Sequence, residues 1–213
     1  MTITINRAYD SWAQAQNAVR GLESEGIPSS EISLVANRYV DDKYTTSGPS
    51  AGPAPRLVTK DDDSAATEIG AGAGAAVGGG VGLLAGLGML AIPGLGPVVA
   101  AGWLAALATG AAAGATTGGI VGALVEAGED KETAHVYGES LRRGGSLVTV
   151  RTDEANRAKV ERILTSFQPI DHRTRANEYR QSGWKQFDDK AEAYKPTSAE
   201  LERIRRKWPD AAE

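Results

Sequence analysis

From Ile69 to Val125 the chain contains no Asp, Glu, Lys, Arg or His, although the sequence on either side is densely charged. So long an uncharged run must be covered by lipid, by protein interior or by another copy of the chain. A flexible linker is a poor description, because linkers are Gly/Ser-rich and polar, whereas this run contains "LLAGLGMLAI". Its glycines recur in steps of four: Gly70, Gly74, Gly78, Gly82 and Gly86, then Gly110, Gly114, Gly118 and Gly122. Four residues turn an α-helix by about 400°, so each series would form a smooth groove that lets two backbones approach closely. Between the series, "IPGLGP" sets Pro93 and Pro97 around two glycines and breaks any helix. The pattern predicts a helical hairpin with arms Ile69–Ile92 and Val98–Val125, about 36 and 42 Å long against roughly 30 Å of hydrocarbon.

Length therefore suits a membrane, but hydrophobic strength is modest. The branched and sulfur-containing apolar residues contribute only about −0.3 to −0.6 kcal/mol each, so a lone arm inserts weakly. A packed hairpin or an oligomer of hairpins hides its backbone better, with lipid or with other copies. "GAGAGA" satisfies G-x-G-x-x-A, but "KDDDSAATE" precedes it where a dinucleotide fingerprint needs an apolar strand. No Gly-Lys-Ser/Thr follows, which excludes a P-loop.

The flanking sequence reads as one soluble module in two pieces. "TITINRAY" alternates as a half-buried strand. "DSWAQAQNAVRGLESEGI" is an amphipathic helix with Trp12, Ala15, Val19 and Leu22 inward, Asp10 or Ser11 as N-cap and Gly26 as its stop. "EISLVAN" is a second strand. Beyond the uncharged run, "DKETAHVYGESLRRGG" is a helix with Ala134, Tyr137 and Leu141 inward, and "SLVTVRT" is a strand. "TDEANRAKVERILTSF" is a helix capped by Thr152 or Asp153, with Val160, Ile163, Leu164 and Phe167 inward, and "PIDHR" reads as a short edge strand. Helices on one side of a small sheet indicate an α+β, ferredoxin-like sandwich split by the inserted glycine-zipper hairpin.

The halves "GI…EISLVAN", "AHVYGESLRRGGSLVTV" and "AKVERIL" resemble the YflT-type general stress protein domain of bacteria. Ala134, Tyr137, Leu141, Gly145, Leu147, Val148 and Val150 fill that family's helix and strand pattern, over roughly the first forty residues and Lys131 to Arg173. The resemblance implies a stress-induced protein without established catalysis, like larger members that carry a glycine-zipper segment.

The expected organisation is a first half-domain at 1–40, a linker at 41–67, the hairpin at 68–127, a second half-domain at 128–173 and a tail at 174–213. In the tail, "TSAELERIRRKW" reads as a short amphipathic helix, and Tyr179, Trp184, Phe187 and Tyr194 as anchors of a strap or of an arm for a protein partner. A formal charge of −4 argues against a nucleic-acid partner. Without cysteine, and with only His135 and His172, the chain offers no thiol nucleophile or Cys-based zinc site. Asp61–Asp63 lacks the spaced ligands of a calcium loop. No catalytic, metal or cofactor residue is expected. The N-terminus lacks the pattern of a secretory signal, so the expected location is the cytoplasmic face of the inner membrane, or the cytoplasm itself. The expected role is a non-enzymatic stress protein that joins the membrane or assembles with itself. The alternatives are a soluble scaffold and a ligand-sensing regulator.

Overall fold

The computed structural model describes residues 2–37, 83, 87–92, 94–111, 119–191 and 194. The elements in chain order are β1 (Thr2–Tyr9), α1 (Trp12–Ser24), β2 (Ile32–Ala36), β3 (Gly88–Ile92) and β4 (Gly96–Ala101), then α2 (Trp103–Ala111) and α3 (Gly119–Glu126). They continue with α4 (Lys131–Arg142), β5 (Ser146–Asp153), α5 (Arg157–Ser166) and α6 (His172–Gln181). The chain is of mixed α+β type.

Local chemistry sets several boundaries. The Gln14 N–H donates to Ser11 Oγ at the start of α1, and Gly26 leaves the following turn at φ 83°. Asp130 Oδ1 accepts from the Thr133 N–H at 3.0 Å, and Asp171 Oδ1 from the Thr174 N–H at 2.7 Å. These carboxylates satisfy donors that the first turn of a helix otherwise leaves open.

One antiparallel sheet in the order β1-β5-β2-β4-β3 organises the rest. β5 lies between β1 and β2, with Ile5 opposite Val150 and Leu34 opposite Val148. On one face, Val19 and Leu22 of α1 and Val160 and Leu164 of α5 pack on Ile5, Ile32, Leu34 and Val148. On the other, Leu104 and Ala108 of α2, Ile120 and Leu124 of α3, and Tyr137 and Leu141 of α4 cover Val35, Ala100 and Leu147. Helices thus cover both faces, not one, and this explains why every residue of β2 is buried.

The described part of the uncharged run departs from the expected hairpin. Gly88–Ile92 and Gly96–Ala101 are strands instead of helix, and β4 pairs with β2, placing Val35 opposite Ala100, while the second arm does hold helix at Trp103–Ala111 and Gly119–Glu126. The helix-breaking sequence reverses a strand pair. The Leu95 N–H donates to the Ile92 carbonyl at 3.0 Å, and Gly94 takes φ 76°, the value that the second central position of a type II turn requires. Pairing with β2 satisfies the backbone and places β-branched Val98 and Val99 in a buried strand, an outcome a glycine-rich helix does not match. "PIDHR" is not an edge strand either: the Ile170 N–H donates to the Ala8 carbonyl at 2.8 Å, and Asp171 then starts α6. The helix expected in "TSAELERIRRKW" and the Asp61–Asp63 run lie outside the described residues.

Candidate functional site

Of the eleven residues expected to shape a helix contact, three lie among the described residues. Pro97 is in β4 opposite Ala91, Gly110 is in α2 and Gly122 in α3. The two helices contact each other, and α3 also contacts α4. Gly70, Gly74, Gly78, Gly82, Gly86, Pro93, Gly114 and Gly118 lie outside the described residues.

A different pair of glycines makes a contact that the spacing pattern did not single out. A Cβ at Gly138, in the middle of α4, would lie 3.1 Å from Phe187 Cγ and 3.2 Å from Val121 Cγ2. A Cβ at Gly94 would lie 2.8 Å from Phe187 Cζ and 2.6 Å from Asp189 Cα. These two glycines form a slot for Phe187, which is 6% exposed and joins the core beneath the sheet. A signal was available: a glycine inside an otherwise good helix costs about 1 kcal/mol relative to alanine, and so marks a close contact.

Beside the slot, Glu139 is 1% exposed and accepts from Arg142 Nε and Nη2 at 2.9 and 2.8 Å, and from Arg143 Nε at 2.7 Å. The two guanidiniums carry the tail's aromatic rings. Arg143 lies 4.4 Å from the Tyr179 centroid and 5.0 Å from that of Tyr194, while Arg142 lies 5.4 Å from Tyr194. Trp184 meets Tyr179 edge-on at 5.6 Å. Burial raises the Tyr179 hydroxyl above its ordinary pKa, so the ring stays neutral against its cationic neighbours. All four aromatic residues that the sequence marked as strap anchors contact the chain's own module.

An open groove of about 890 Å³ lies at the other end of the sheet, between Thr2 and Thr4 of β1, Arg151 of β5, and Trp103, Leu107 and Glu126. The Arg151 guanidinium sits 4.4 Å from the Trp103 ring, and its Nε lies 3.3 Å from Glu31 Oε2. That cation already serves structure. Tyr137, pushed up to about 12 by burial with Glu129 adding to the effect, places its hydroxyl 3.5 Å from the Asn6 carbonyl. It stays protonated at neutral pH. Among the described residues, no three His, Asp or Glu side chains converge on a metal position.

No family model, curated protein or solved structure matches this chain.

His135 is half-buried, with Nδ1 enclosed and lacking a hydrogen-bond partner among the described residues. Burial, and then Lys131, lower its pKa below 6.5, so folding favours the neutral ring. The contribution is complete above the unfolded value and is lost as pH falls through the folded one. Thermal midpoints should fall from about pH 8 to about pH 5, and His135→Gln should flatten part of that decline. An unchanged slope would remove His135 from the acid response.

Proposed function

We propose that this chain is a non-enzymatic bacterial stress protein of the YflT-like kind that works in the cytoplasm as a self-associating scaffold. The observation that carries this reading is where the uncharged run puts its apolar side chains. Leu104, Ile120 and Leu124 are fully buried beneath the chain's own sheet, and Leu83 is fully buried against α1 on the other face. Side chains already covered by protein have no need of lipid. No helix among the described residues is long and apolar enough to cross a membrane. The split arrangement, with β5 between β1 and β2, supports a ferredoxin-like reading of the flanking halves, to which the β3–β4 hairpin is added. In the sequence, Gly70, Gly74, Gly78 and Gly82 recur in steps of four, the small-xxx-small spacing found where two helices pack closely.

Light scattering of the full chain without detergent, paired with carbonate-washed fractionation of cells, tests this. The expected result is a soluble, monodisperse oligomer that weakens in Gly78→Leu/Gly82→Leu, because two branched side chains replace two glycines of the four-residue series. Carbonate-resistant membrane association would replace the scaffold with a membrane protein. A monomer at every concentration would end the self-association reading.

A further inference from the structure

Beneath the second helical layer the sheet carries a polar row that packing does not explain. Side chains alternate between faces along a strand, so Asn6, Thr149 and Ser33 share the face of Ala8, Leu147 and Val35. All three polar residues are 2% exposed or less. Ser33 Oγ donates to the Ala101 carbonyl at 2.8 Å and is satisfied. The other two are not. Asn6 Nδ2 donates to Glu129 Oε2 at 2.9 Å. A carboxylate only accepts, so the amide nitrogen must face it, and Asn6 Oδ1 is left as a bare acceptor. Among the described residues, neither Asn6 Oδ1 nor Thr149 Oγ1 has a hydrogen-bond partner. A buried polar atom in that state costs about 1–3 kcal/mol, and here two stand on directly opposite residues.

The row continues the floor of the groove at the end of the sheet. Thr4 and Arg151, which line that groove, form the pair next to Asn6 and Thr149, about 7 Å away along the strands. Trp103, Leu107 and Ala127 supply apolar wall, and Glu126 lines it from an exposed position. Charge around the row and groove is acidic on balance. Glu31, Glu126 and Glu129 stand there against Arg151, which Glu31 holds, and Arg7, whose Nη1 donates to the Asn6 carbonyl at 2.7 Å. A bare amide oxygen, a hydroxyl that accepts as well as donates and an excess of carboxylates all favour a cationic donor. A primary ammonium is the small group that combines both properties.

We propose that the groove binds a small primary amine with an apolar body, its ammonium directed toward Asn6 Oδ1 and Thr149 Oγ1 and its body against Trp103 and Leu107. The site lies within one copy and stands whether or not copies associate.

Benzylamine, benzyl alcohol and benzoate share a shape and differ in the head group, so calorimetric titration of each into the full chain is the test. Benzylamine should bind about tenfold more tightly than benzyl alcohol, and benzoate should show no binding up to about 10 mM. Thr149→Val keeps the shape of the side chain and removes a hydroxyl without a partner. Its stability in urea should hold or rise, while benzylamine binding weakens about tenfold. Glu126→Gln changes an exposed residue and should weaken benzylamine about threefold without affecting benzyl alcohol. Three results overturn the proposal: benzyl alcohol or benzoate binding as tightly as benzylamine, undiminished benzylamine binding by Thr149→Val, or no benzylamine binding by the wild-type chain. The last would leave ordered water as the partner of the two buried atoms.

Discussion

Gly102→Ala should destabilise the chain by about 3 kcal/mol or more, lowering the thermal midpoint by roughly 10 °C. Gly102 turns the chain from β4 into α2 at φ 91°. An L side chain resists that conformation by about 1–2 kcal/mol. Space adds a second cost, since a Cβ there would overlap the Ile32 carbonyl oxygen and lie 2.7 Å from Ser33 Cα. Both are backbone atoms of the sheet, next to the bond from Ser33 Oγ to the Ala101 carbonyl at 2.8 Å, and they cannot swing aside. Gly26→Ala separates the two effects. Gly26 has a similar φ of 83°, but a Cβ there meets nothing within 4 Å among the described residues. That substitution should cost only the conformational share. Urea unfolding of the two variants measures the difference, and equal losses would show that close approach at Gly102 plays no part.

The elements that the sequence made legible are those whose signals are local. Ser11 before Trp12, Gly26 after Ser24 and the alternation in "TITINRAY" each act within a few residues, and the structure places α1 and β1 there. Ala134, Tyr137 and Leu141 share a helical face and are buried together. The uncharged run was harder because its apolar pattern has no polar side. Periodicity distinguishes strand from helix only when one face differs from the other, and Gly88–Ala101 offers no such contrast. Pro-Gly breaks a helix and also turns a hairpin, so the break was visible while its type was decided by the free edge of β2. The expectation of helices on one face failed as well, since α4 lies on the face opposite α1 and α5, in a second covering layer that α2 and α3 of the run complete. In the tail, the aromatic anchors were visible as residues. Their slot was not, because Gly94 and Gly138 are 44 residues apart in sequence and both face Phe187 in the fold.

Leu124→Ala should cost about 3 kcal/mol of stability in detergent-free buffer, while Val125→Ala changes it by no more than about 0.5 kcal/mol. The two residues are neighbours in α3, both apolar and both inside the uncharged run. They differ in what covers them. Leu124 is 0% exposed and packs with Leu104, Ala134 and Tyr137 in the core beneath the sheet, whereas Val125 is 43% exposed. Truncating Leu124 removes three carbons from a packed interior and leaves a cavity that the surrounding helices close only in part. Truncating Val125 removes surface that water already reaches. A lipid-covered helix predicts another outcome, because each residue then contributes only its transfer into hydrocarbon, about −0.3 to −0.6 kcal/mol, and the two substitutions become nearly equivalent. Urea midpoints of both variants, compared at an unchanged denaturant slope, decide the matter. A large loss confined to Leu124 places α3 in a protein core. Small and matching losses at both positions would return the uncharged run to the membrane and end the scaffold reading.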